Sequence, residues 1–213
     1  MVSTIKRKSL GFLNLKESDY LGKGRERACY IHPEDNDKVI KVVYKSSENL
    51  NQNQLEHNYL SFLEKKGVSF SHLSKCFGFI QTNLGEGYIF NRIKDFDGKT
   101  SKSFKYMVLN GVLSPNLEIE LLNELKRYLI DNNIIFVDIA LSNIFCQEVS
   151  ANKYKLIITD GIGGKRTGLK SKLYLYSKLF TKYKVKKQLK RLEKRYQKVI
   201  KEGILKKTRL VSE

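Results

Sequence analysis

Cysteine is scarce and scattered in this sequence. Cys29, Cys76 and Cys146 stand far apart and are odd in number. They form no C-x-x-C pair and do not cluster with the three histidines, so neither a disulfide framework nor a zinc pattern is indicated. A reducing cytoplasmic setting is the expectation. Proline is rarer still, with two residues, and 41% of the chain is hydrophobic. That combination excludes a disordered chain and predicts a folded, element-rich one. Long apolar runs are missing as well: nothing approaches a membrane span. The apolar residues behind the basic start MVSTIKRKSLGF are too few and too interrupted for a secretory leader. There is no internal repeat and no low-complexity segment.

Acidic residues are few beside basic ones, 22 against 40, for a net charge of +18. The imbalance is local. Lys165–Glu213 alone holds eighteen Lys and Arg against three Glu, whereas the rest of the chain is almost neutral. Within this tail Val185, Leu189, Leu192, Tyr196 and Val199 step by four, three, four and three, which predicts a helix from about Ser171 to Glu202. Such a stripe suits a docking face, with the charges solvated or turned toward a polyanion. An anionic membrane surface is one partner it predicts, at the inner face of the membrane. Nucleic acid is disfavoured, because no reader motif or aromatic stacking platform accompanies the charge.

Along the chain, ACYI and VIKVV read as strands, NQNQLEHNYLSFLEKK as a helix stopped by Gly67, and CFGFIQTNLGEGYIFNRI as a hairpin turning at LGEG. DFDGKTS marks a break between a β-rich region, residues 1–95, and a mostly helical one, residues 96–213. In the second region Ser114-Pro115 predicts a capped helix start, with Leu121, Leu122, Leu125, Tyr128 and Leu129 on its apolar face. IIFVDIALSNIFCQEV and YKLIITD follow as short strands, the first with a loop inside it. The order predicts an α+β protein.

Several polar residues sit at spacings that phosphoryl transfer from ATP requires. Gly22 and Gly24 in LGKGRERAC form a G-x-G turn, although Arg27 stands where a third glycine would be. Lys41 lies within VIKVV, and Glu56 lies on the apolar stripe of the next helix, where an unpaired carboxylate is costly. A Lys41–Glu56 ion pair would answer both, with Lys41 on the phosphates. Asp138 and Asn143 are spaced D-x-x-x-x-N in VDIALSNIF, and Asp160 ends an apolar run before GIGG. Taken one at a time, each reads as a turn, cap or strand-end residue. In this order they predict a nucleotide site in which Asn143 and Asp160 hold Mg²⁺ and Asp138 serves as catalytic base. His32, His57 and His72 are assigned no role, His72 being placed in a polar loop.

LGKGRERACYIHPED, IKVVY, GYIF with DFDGKTS, LKRYLIDNNI and SNIFC resemble the YrbL family, described as PhoP regulatory network protein YrbL, over about residues 18–164. The resemblance implies a two-lobed protein-kinase-like fold, with a small β-rich N-lobe, a reduced helical C-lobe and ATP in the cleft. It also implies a link to a bacterial magnesium- and envelope-stress regulon. The sequence departs from the common kinase pattern at Phe136-Val137, Ala140 and Gly161-Ile162, and no A-P-E segment follows. Those departures favour a small-molecule or envelope-sugar acceptor over a folded protein. They leave open a nucleotide-binding pseudokinase that acts through a partner, or a polyanion-binding protein with a vestigial cleft.

Overall fold

The structure, a computed structural model, describes residues 9–24, 26–44, 52–163 and 177–211. It is an α+β protein, as the order of sequence patterns predicts. The chain divides into two compact units, Met1–Ser61 with Lys75–Arg92 and Phe62–Ser74 with Ile93–Glu213.

The first unit is built on a six-stranded sheet. Its strands are β1 (Phe12–Leu13), β2 (Tyr20–Lys23), β3 (Arg27–His32), β4 (Asp35–Val43), β5 (Cys76–Thr82) and β6 (Gly85–Asn91). The spatial order is β1-β5-β6-β4-β3-β2, with β1 parallel to β5 and every other pair antiparallel. Side chains alternate across the sheet, and directly opposed residues share a face. On one face Leu13, Leu15, Ile40, Val42, Ile80 and Ile89 form a core against which Tyr30 packs. Gly87 belongs to that face because a Cβ there would come within 2.7 Å of Ile40 Cγ2. The other face carries Arg27, Cys29, Lys41 and Tyr88, in register through the pairs Cys29–Lys41 and Lys41–Tyr88. Helix α1 (Gln52–Lys65) bonds to this second face through Asn53 and Glu56. It ends at Gly67, whose φ of 71° suits glycine. The hairpin turns one step earlier than LGEG predicts, at Asn83-Leu84. Thr82 Oγ1 accepts from Leu84 N and donates to the Gly85 carbonyl, so Gly85 is already paired.

The second unit has a three-stranded sheet, β7 (Lys102–Ser103), β8 (Ile144–Ser150) and β9 (Lys153–Ile158), in that order. Helix α2 (Phe104–Asn110) is capped by Ser103, whose Oγ accepts from Tyr106 N, and it closes on Gly111 at φ 60°. Helix α3 (Pro115–Asp131) starts at the predicted Ser114-Pro115 cap and buries Leu121, Leu122, Leu125, Tyr128 and Leu129. Helix α4 (Lys178–Val211) runs past the predicted end near Glu202, and the predicted start at residues 171–176 lies outside the described residues. Val185, Leu192, Tyr196 and Val199 are buried and Leu189 is half-buried, so the stripe is a packed face.

One polar contact sits within that packing. The Tyr196 hydroxyl donates to Glu118 Oε2 at 2.9 Å, and its ring stacks on Phe104 at 6.0 Å. Burial pushes the Glu118 carboxyl above the ordinary carboxylate range, opposed in part by the Tyr196 bond. A raised folded-state value means that the folded form holds the proton more tightly than the unfolded one. Its contribution is therefore full below the unfolded value of about 4.3 and is lost as pH rises through the folded value. Glu118→Gln keeps an acceptor for Tyr196 and has no proton to release. Thermal melts of both proteins between about pH 4 and pH 7 should show the wild type losing ground to the variant as pH rises. A constant difference would contradict this assignment.

Candidate functional site

In the first unit the β2–β3 turn is held by its own backbone. Gly24 N donates to the Arg27 carbonyl at 2.8 Å, and the Tyr44 hydroxyl donates to the Gly24 carbonyl. The Gly24 amide is thus spent on the turn. Gly22 has φ 155° and open space where a Cβ would lie, so the backbone there can be approached closely.

Lys41 is 9% exposed, and its ammonium lies 4.1 Å from the Phe90 ring centroid. Glu56 is 3% exposed. Its Oε2 accepts from Arg27 Nη1 at 2.9 Å, and the same nitrogen reaches Asn53 Oδ1 at 2.7 Å. Asn53 Nδ2 in turn donates to the Lys41 carbonyl at 2.8 Å. Arg27 and Asn53 therefore tie the glutamate of α1 to the strand that carries Lys41. Both charges bear on Cys76. Burial pushes that thiol up to about 12, while Lys41 pulls it down and Glu56 pushes it further up. In the sequence Arg27 reads only as a missing glycine. Pleat alternation holds the signal for its role, since Arg27 is two residues from Cys29, the partner of Lys41, and Asn53 is one helical turn before Glu56.

In the second unit Asp138, Asn143 and the residues around Asp160 are drawn together by backbone bonds. The Gly161 carbonyl accepts from both Val137 N, at 2.8 Å, and Asp138 N, at 3.0 Å. Phe136 bridges to Ile162, and Gly163 N donates to the Ile135 carbonyl at 2.8 Å. On the other side of Asp160, Thr159 N donates to the Asn143 carbonyl at 2.9 Å. Asn143 Nδ2 reaches the Asp138 carbonyl at 2.9 Å and Asp138 Oδ2 at 3.4 Å. With the amide nitrogen directed at Asp138, the Asn143 Oδ1 is the acceptor end of that side chain. Asp138 is exposed, and Asn143 and Asp160 are half-buried.

These donors are carboxylate and amide oxygens, which are hard ligands and suit Mg²⁺ rather than a soft metal. Among the described residues no three His, Cys, Asp or Glu side chains gather around one metal position. Mg²⁺ does not need such a cage, since it takes one or two carboxylates, waters and phosphate oxygens. The residues present fit it.

His72 lies in the turn before β5, a loop position as its sequence context implies, but it is buried. It is 4% exposed, with Nδ1 2.8 Å from the Leu156 carbonyl and Nε2 3.3 Å from Glu124 Oε1. It holds the edge of β9 and has no place in the site.

The architecture and this loop define an α+β protein whose second unit joins an aspartate–asparagine loop to the aspartate behind a β-hairpin. A family model described as PhoP regulatory network protein YrbL matches residues 13–197, and the chain belongs to that family. It is 32% identical over 154 residues to the YrbL protein of Escherichia coli (strain K12), covering 71% of this chain and 73% of that one. The same figures hold for the YrbL protein of Shigella flexneri.

Gly161 is where the loop is most crowded. Its φ is 83°, and an added Cβ would lie 2.7 Å from Asp138 Cβ and 2.9 Å from the Asp138 carbonyl oxygen. Gly98 has nearly the same φ, 84°, but open space around it. Alanine at either position carries backbone strain of about 1–3 kcal/mol. Gly161→Ala should cost measurably more in denaturant unfolding than Gly98→Ala, and equal costs would contradict the close approach.

Proposed function

We propose that the protein is an ATP- and Mg²⁺-dependent phosphotransferase of protein-kinase-like type, acting within the PhoP regulatory network. On this reading residues 1–95 form an N-lobe and residues 96–213 a reduced C-lobe. Lys41, oriented by Glu56, engages the phosphates together with the backbone near Gly22 and Gly24. Asn143 and Asp160 hold the metal, which when bound neutralises charge developing on the phosphates. Asp138 accepts the proton of the acceptor hydroxyl. The reading places the protein in the cytoplasm. The acceptor it favours is a small molecule or an envelope sugar.

The observation that carries this reading is the backbone clamp at Gly161. It gathers the exposed Asp138, the Asn143 amide and the half-buried strand-end Asp160 in one loop. A second reading, a nucleotide-binding pseudokinase acting through a partner, is favoured by the Gly24 amide. That group is already bonded to Arg27 and is not free for a phosphate.

Thermal melts with and without Mg²⁺·ATP test the site. At ligand about a hundred times its dissociation constant the stabilisation is about 2.7 kcal/mol. Asp160→Asn should remove the Mg²⁺-dependent part. Asp138→Ala should keep binding and abolish phosphotransfer. No stabilisation of the wild type would overturn the nucleotide site, and binding without turnover in the wild type would select the pseudokinase.

A further inference from the structure

We propose that the exposed face of α4 is a docking surface for an anionic lipid bilayer. One side of the helix is already used. Val185, Gln188, Leu192, Tyr196 and Val199 are buried, and they step along that side by threes and fours. The opposite side is exposed and carries Lys186, Lys187, Lys190, Lys194, Lys198 and Lys201. The acidic residues of the described helix lie at the margin of this face. Glu193 is paired with Lys126, and Glu202 lies 3.9 Å from Lys198. The cationic strip is therefore nearly uncompensated along a helix of 34 residues, about 50 Å in length.

Charge alone does not select a partner; the apolar residues at the two ends do. Leu179 is 83% exposed, Tyr183 65%, Ile204 59% and Leu205 62%, and all four belong to the cationic side of the helix. A phosphodiester backbone attracts the lysines and offers nothing to these four side chains. A bilayer surface takes both, with lipid phosphates meeting the cations and the acyl boundary receiving the apolar ends. Long lysine side chains suit that arrangement, since their stems lie along apolar surface while the ammonium stays among headgroups. No described helix is long and apolar enough to cross a membrane, so the contact would be lateral.

The test is co-sedimentation of the full chain with phosphatidylcholine vesicles, with and without about 30% phosphatidylglycerol, in the absence of nucleotide. Binding should require the anionic lipid and fall at least tenfold in about 0.5 M salt. A Lys187→Glu, Lys190→Glu, Lys194→Glu, Lys198→Glu variant should lose binding at least tenfold. A Leu179→Ser, Tyr183→Ser, Ile204→Ser, Leu205→Ser variant should bind more weakly than wild type while staying salt-sensitive. Circular-dichroism melts matching the parent would show both variants folded. Equal binding to neutral and anionic vesicles would overturn the proposal. So would unchanged binding by the apolar variant, or displacement from vesicles by duplex DNA at equal phosphate.

Discussion

The carbonyl of Gly161 accepts hydrogen bonds from two successive amides, Val137 and Asp138, and the arrangement of the loop follows from that double bond. Two donors converging on one oxygen force the chain at Gly161 into a positive φ and bring it against the Asp138 backbone, a space only glycine fills. With that approach made, Asn143 can cap the Asp138 carbonyl while its own carbonyl receives Thr159. Asp160, between Thr159 and Gly161, is then held from both sides. The loop is positioned by main-chain bonds.

The first unit solves a different problem. A buried carboxylate on α1 needs compensation, and Arg27 supplies it from β3 through a charge-assisted bond. Asn53 closes the circuit to the main chain of β4. Helix and sheet are thus locked at the residues on which a phosphate-binding lysine would depend. Arg27 is one of the groups that compensate the buried Glu56 charge.

What was legible in the sequence is local. Ser114 and Pro115 signal a helix start with their own chemistry, and Val185, Leu192, Tyr196 and Val199 signal a buried stripe by spacing alone. The β-branched flanks of Lys41 marked a strand, but not that residues 39–42 are all buried. What was not legible depends on distant partners. His72 is buried because the Leu156 carbonyl and Glu124 receive it, and nothing near His72 in sequence announces either. Arg27 finds Glu56 by the register of β3 on β4, which a strand pattern does not specify. The D-x-x-x-x-N spacing was legible, but the force that closes it on Gly161 is a tertiary hydrogen bond and leaves no mark in composition.

The central claim is that the loop held by Gly161 binds a metal together with a nucleotide. Paramagnetic broadening by Mn²⁺ in place of Mg²⁺, read at backbone amides by NMR, addresses it most directly. The account predicts broadening centred on Asp138, Asn143 and Gly161 that strengthens when ATP is added and disappears in Asp160→Asn. Broadening spread evenly over exposed acidic residues, indifferent to ATP and to that substitution, would contradict it.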